Sequence, residues 1–117
     1  MTSTPTRSEV WLVRFNPSVG AEIQKERPAV VVNVAGVGRL PLHIVVPITD
    51  WKPLYASFAW FVPLSPTAIN GLTKDSGADA FQVKSLSRDR FVRKLGNLTA
   101  AEMDKISAAI ALCVGYR

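Results

Sequence analysis

The sequence predicts a mainly β protein: a small closed antiparallel β-barrel with one α-helix at its C-terminal end. Three observations carry that expectation. Short runs of β-branched and aromatic residues recur from Glu9 to Lys94, most of them bounded by proline, glycine or asparagine, the pattern of many short strands in one domain. From Thr99 onward the apolar residues fall instead at helical spacing. A length of 117 residues suits one core and not two, and closing the sheet on itself removes aggregation-prone edges. A mobile tail over residues 1–8 and a single domain over residues 9–117 are expected.

Glu9 to Phe15 reads as the first strand, ending at Asn16-Pro17. The segment from Asn16 to Glu26, with Pro17, Ser18, Gly20 and several charges, reads as a long exposed loop of the functional kind. Two apolar runs follow, Ala29 to Val34 and Ile44 to Ile48, joined by a Gly- and Pro-containing connection, and predict an antiparallel hairpin. If its symmetry axis lies near Gly38, partners across the ladder have numbers summing to about 76, so that Arg27 stands opposite Thr49. Pro28, lacking an N–H, belongs at a strand's first position and presses Arg27 into extended backbone. Pro47 predicts an edge or a bulge just before Thr49.

Ser57 to Val62 predicts a further strand, closed by Pro63 and Pro66, and Asn70 to Gly77 is turn-rich. Asp79 to Lys84 alternates like a half-exposed strand, with Phe81 and Val83 on one face and Gln82 and Lys84 on the other. A last strand is expected over Asp89 to Lys94, ended by Gly96-Asn97. Thr99 and Glu102 form a capping box, with Leu98 and Met103 as its hydrophobic staple. Met103, Ile106, Ile110 and Cys113 or Val114 then make a core-packing stripe.

Hydrophobic residues at 48% and charged residues at 20% exclude a disordered chain. Fourteen Lys and Arg against nine Asp and Glu leave a net charge of +5, which favours an anionic partner, nucleic acid ahead of a membrane surface. Cys113, the only cysteine, supports neither an internal disulfide nor a metal cluster and reads as a small buried hydrophobe. No stretch is apolar enough to cross a bilayer or to serve as a signal peptide, so a cytoplasmic protein is expected. Gly-rich phosphate loops, paired Cys/His spacings and a nucleophile elbow are all missing from the sequence. The sole histidine, His43, lies about 20 Å along its strand from Thr49 and reads as a packed side chain.

The words Glu9-Val10-Trp11-Leu12-Val13-Arg14-Phe15-Asn16-Pro17-Ser18-Val19-Gly20-Ala21-Glu22, Lys25-Glu26-Arg27-Pro28-Ala29-Val30-Val31-Val32 and Val46-Pro47-Ile48-Thr49 resemble, in content and in spacing, the MazF/PemK family of toxin endoribonucleases. Asp79 to Leu86 and Arg90-Phe91 resemble that family's later strand pair. The resemblance implies a PemK/CcdB-like barrel, a homodimer and inhibition by a cognate antitoxin laid over the Asn16 to Arg27 loop. It also implies cleavage of single-stranded RNA without a metal or other cofactor, leaving 2′,3′-cyclic phosphate and 5′-hydroxyl ends. Its functional pair falls on Arg27 and Thr49. A guanidinium and a hydroxyl suit that chemistry, because negative charge gathers on the phosphoryl oxygens as the 2′-hydroxyl attacks.

Around the pair, Asn16, Ser18, Glu22, Lys25, Gln82 and Lys84 are the candidate RNA-binding residues. Asn16, Ser18 and Gln82 offer hydrogen bonds to unstacked bases, and Lys25, Lys52 and Lys84 offer charge to phosphates. Glu22 reads either as a carboxylate able to take a proton or as an ion-pair partner of Lys25 or Arg27. Gln82 and Lys84 read equally as a solvated strand face, and Trp51 and Tyr55 either stack on bases or pack. A non-catalytic toxin of the same fold, aimed at a protein target such as DNA gyrase, and a binding module without chemistry are the alternatives.

Overall fold

The hairpin forms in the expected register. In the computed structural model, which describes residues 4–116, Ala29 pairs with Pro47, Val30 with Val46 and Val31 with Val45, each pair summing to the expected 76. Its strands are β2 (Glu26–Val31) and β3 (Leu42–Asp50), preceded by β1 (Glu9–Arg14). Then come β4 (Phe61–Leu64), β5 (Ser76–Asp79), β6 (Lys84–Ser87), β7 (Phe91–Asn97) and helix α1 (Ala100–Cys113). All pairings are antiparallel, in the order β4-β5-β3-β2-β1-β7, with β6 also on β3.

β3 organises this sheet because it changes partner along its length. Leu42 to Val45 pair with β6 and Ile48 to Asp50 pair with β5. Pro47 falls in the interval between those two ladders. Its missing N–H is therefore not needed on that side, and a proline is accommodated in a central, fully buried position instead of at the expected edge or bulge.

The sheet is buried on both faces, which explains the continuous apolar runs of β2 and β3. Val10, Val30, Val46 and Ile48 pack with Met103, Ile106 and Ala109 of α1 on one face. Trp11, Val13, Ala29, Val31 and Val45 pack on the other, together with Phe15 and Ile23 from the ends of the first loop. α1 starts at the expected capping box, with Thr99 Oγ1 accepting from Glu102 N–H and the Glu102 carboxylate accepting from Thr99 N–H.

The expected closure of the barrel is not made by a ladder among the described residues: the hydrogen-bonded path is open between β4 and β7. The β4–β5 connection bridges that gap by close backbone approach. Asn97 N–H donates to Ile69 O at 2.8 Å. A Cβ on Gly71 would stand 2.2 Å from Leu95 O, and one on Gly96 would stand 2.3 Å from Ile69 O. Two glycines thus let the loop lie on β7 where any side chain would hold it off.

Two strand expectations are corrected. The run from Ser57 to Val62 is not one strand: Pro53–Ser57 is a 3-10 turn and the strand is Phe61–Leu64. Its aromatics stack on one another there, Phe58 on Trp60 at 4.7 Å and Tyr55 on Phe61 at 4.0 Å, and Pro63 is tolerated because β4 ends the path. Asp79 to Lys84 is likewise broken by a 3-10 turn over Ala80–Gln82, which Asp79 caps by accepting from Phe81 N–H. Phe81 consequently turns outward and is 72% exposed. Of the N-terminal segment, residues 1–3 lie outside the described residues. Arg7 donates to Val32 O and to Ser107 Oγ, and Ser8 N–H donates to Val31 O.

Candidate active site

Two residues beyond the Ala29–Pro47 pair of the β2–β3 ladder, Arg27 comes opposite Thr49, and both line one cavity of about 300 Å³. Across β3's other edge Thr49 pairs with Gly77. Because Gly77 carries no side chain, the rings of Trp51 and Phe61 close over it, 3.0 and 3.1 Å from where a Cβ would stand. Phe61 itself pairs with Asp79. Residues opposite one another in a ladder share a face, so Arg27, Thr49, Asp79 and Phe61 come from four successive strands to one surface.

The arginine is held from the loop that precedes it. Its Nε donates to Gln24 O at 3.2 Å, and neither Nη meets a protein acceptor among the described residues. A guanidinium fixed at its stem with two forked N–H groups to spare suits bidentate contact with a phosphate. Thr49 Oγ1 makes only a long contact of 3.5 Å to Asp50 O, so its hydroxyl has capacity for a ligand. On the far side of the pair a second concavity of about 340 Å³ brings Lys74 and Arg93 to the same wall. Lys74 is paired with Asp50 at 3.0 Å, so linked phosphates crossing that wall would find Lys52 on the first side and Arg93 on the second.

Of the six residues expected to touch RNA, Gln82 lines the cavity with Arg27 and Thr49. Its amide is engaged at both ends: Nε2 donates to Asp79 Oδ2 at 3.2 Å, and Oε1 accepts from Ile23 N–H at 2.6 Å. Asn16, Ser18 and Glu22 shape their own loop. Asn16 Oδ1 accepts from Ser18 Oγ and from Lys25 N–H, both at 3.1 Å, and Glu22 Oε1 accepts from Val19 N–H at 2.6 Å. Glu22 makes no ion pair with Lys25 or Arg27 among the described residues. Lys25 is exposed, and its φ of +67° lies in the left-handed region that costs a side-chain-bearing residue energy. Arg90 Nη1 clamps the loop's root through Asn16 O at 2.7 Å and Arg14 O at 3.2 Å. Lys84 begins β6 opposite Val45 and does not line the cavity.

Two further side chains complete the site. Tyr55, stacked on Phe61, forms part of the cavity wall and meets Trp51 edge to face at 5.8 Å. Asp79, a buried carboxyl at the cavity, has its pKa pushed up by burial, against which the bonds from Gln82 and Phe81 act. The sequence carries no mark that singles it out, since any aspartate two positions before a residue other than proline can make such an Asx turn. His43 is buried six residues along β3, with Nε2 accepting from Arg88 Nε at 3.2 Å. Among the described residues no three His, Cys, Asp or Glu side chains are grouped to hold a metal ion, and no helix is long and apolar enough to cross a membrane.

The fold is that of the MazF toxins. A MazF from Deinococcus radiodurans superposes with a TM-score of 0.78 at 22% identity, over 97% of this chain and 98% of that one. An endoribonuclease from a mycobacterial species, solved in complex with its cognate antitoxin, gives 0.74 at 21% identity over 97% of each chain. In sequence, endoribonuclease MazF9 of Mycobacterium tuberculosis is 32% identical over 110 residues, covering 91% of this chain and 92% of the relative. Residues 6–114 match the profile of the PemK-like, MazF-like toxins of type II toxin-antitoxin systems. The chain belongs to that family.

Proposed function

We propose that this protein is an endoribonuclease toxin that cuts single-stranded RNA at its own 2′-hydroxyl, with Arg27 and Thr49 stabilising the transition state. The supporting observation is the convergence of a stem-fixed guanidinium and an underused hydroxyl on one cavity wall. The 2′-oxygen forms a bond to the adjacent phosphorus and loses its proton, and the bond from phosphorus to the 5′-oxygen breaks. That 5′-oxygen takes up a proton, so the products carry 2′,3′-cyclic phosphate and 5′-hydroxyl ends. Charge that develops on the two non-bridging oxygens is met by the Arg27 Nη groups and the Thr49 hydroxyl, donors already in place before the reaction. Metal ions have no part in this scheme.

The names of the relatives, an endoribonuclease and an endoribonuclease bound to its antitoxin, agree with this reading, and neither is named as a gyrase-directed toxin. Neutralisation follows from the same surface: an acidic segment of an antitoxin laid over the Asn16 to Arg27 loop competes for the cations that hold RNA. A homodimer in the cytoplasm, with no membrane attachment, is the form proposed to act.

The test is end-mapping of products from a mixed RNA pool incubated with the purified protein in excess chelator. Cyclic phosphate and 5′-hydroxyl ends are expected. Thr49→Ala, which removes one preorganised donor, should cost about 3 kcal/mol, or roughly 100-fold in rate. Intact RNA, or metal-dependent cutting, contradicts the scheme.

A further inference from the structure

We propose that Asp79 is a positioning residue of this site, aiming the Arg27 guanidinium through a relay that runs by way of Gln82 and the loop backbone at Ile23 and Gln24. Every link is a contact in the structure. Asp79 Oδ2 accepts from Gln82 Nε2, Gln82 Oε1 accepts from Ile23 N–H, and the carbonyl of the next residue, Gln24, accepts from Arg27 Nε. The Ile23 side chain is buried in the core below, so the relay pins the loop on two sides.

The direction of the relay is fixed by chemistry. A carboxylate only accepts and a backbone N–H only donates. Between those two ends the Gln82 amide has one possible orientation, amino group to Asp79 and oxygen to Ile23. Asp79 also holds Phe81 N–H with Oδ1, so one carboxylate serves two donors. Burying a carboxylate is costly unless it is hydrogen-bonded, and these two bonds supply that compensation. By ladder register Asp79 is diagonal to Thr49, on the same face, at about 7 to 8 Å. It is therefore near enough to organise the site and belongs behind the groups that meet the phosphate.

Asp79→Asn tests this, because the amide oxygen stays on the local Phe81 N–H, as in any Asx turn, and the NH2 that replaces Oδ2 then faces the Gln82 amino group, a donor against a donor. The proposal rests on RNA cleavage for its kinetic consequence: kcat should fall by about 10- to 100-fold, as for a small misplacement of a catalytic group. In an Arg27→Lys background, which lacks the Nε–H to Gln24 O, the same change should cost little more, since residues acting through one another are not additive. Hydrogen exchange gives a readout independent of activity. The Ile23 amide should lose protection in Asp79→Asn while amides of Val30 and Val46 keep theirs. Full additivity in the Arg27→Lys background, or an Ile23 amide that stays protected, overturns the proposal. Should Asp79→Asn fail to fold, Gln82→Leu, which removes the acceptor for Ile23 N–H, must give the same pattern or the relay is wrong. If the wild-type protein cuts no RNA, the cleavage reading falls and the exchange result alone decides whether Asp79 holds the loop.

Discussion

His43 and Asp79 are buried ionisable side chains at two different places on the sheet, and their protonation equilibria shift in opposite senses. Burial pushes the imidazole of His43 below its ordinary value of 6.5, helped by the adjacent Arg88 charge. Arg88 and, across the same concavity, Arg7 are the charged groups that face it. Because the unfolded chain then binds the proton more tightly than the folded one, the contribution of His43 is fully present above 6.5 and is lost as pH falls through the folded-state value. The melting temperature should therefore drop between about pH 7 and pH 5, and His43→Leu should flatten that part of the curve. Asp79, whose carboxyl is raised, contributes with the opposite sign, more stability as pH falls, and in the region above 3.8. The difference between wild type and His43→Leu isolates the histidine; an unchanged slope contradicts the assignment.

At the scale of elements, the hairpin carrying Arg27 and Thr49 was legible from the sequence alone. Two β-branched runs about a glycine turn allow essentially one register once both faces must be buried, and the observed pairs obey it. The region from Phe58 to Lys84 was not. Alternation there was imitated by an Asx-capped 3-10 turn, and a run of aromatics read as a strand is held by ring stacking instead. Asp79 was missed for that reason, since it looked like the polar start of a strand. Closure was also out of reach, because the signal is the spatial opposition of Gly71 and Gly96 to distant backbone. Gly96→Ala should cost about 2 kcal/mol or more by denaturant unfolding, as overpacking against immobile backbone does. A loss under about 0.5 kcal/mol would show that the bridging loop yields freely.

For the whole molecule, the two-faced core leaves an apolar surface beside the site uncovered. Trp60, Phe81, Leu112 and Cys113 border a concavity of about 420 Å³, with Phe81 72% and Leu112 55% exposed. Exposed apolar patches of this kind mark contact surfaces, and this one adjoins Gln82 at the site, which fits the proposed homodimer. Leu112→Glu should shift the protein toward monomer in sedimentation velocity; an unchanged sedimentation coefficient would place the dimer contact elsewhere. The net charge of +5 and the cations beside the Arg27–Thr49 wall act at this scale too, steering a polyanion to the groove. End-mapped cleavage of a single-stranded RNA pool in chelator by wild type and Arg27→Ala side by side decides whether Arg27 carries the reaction. Cyclic phosphate and 5′-hydroxyl ends from the wild type, with at least a 100-fold loss in the variant (about 3 kcal/mol), are the predicted result. Equal cleavage by the two proteins, or none by the wild type, would contradict it.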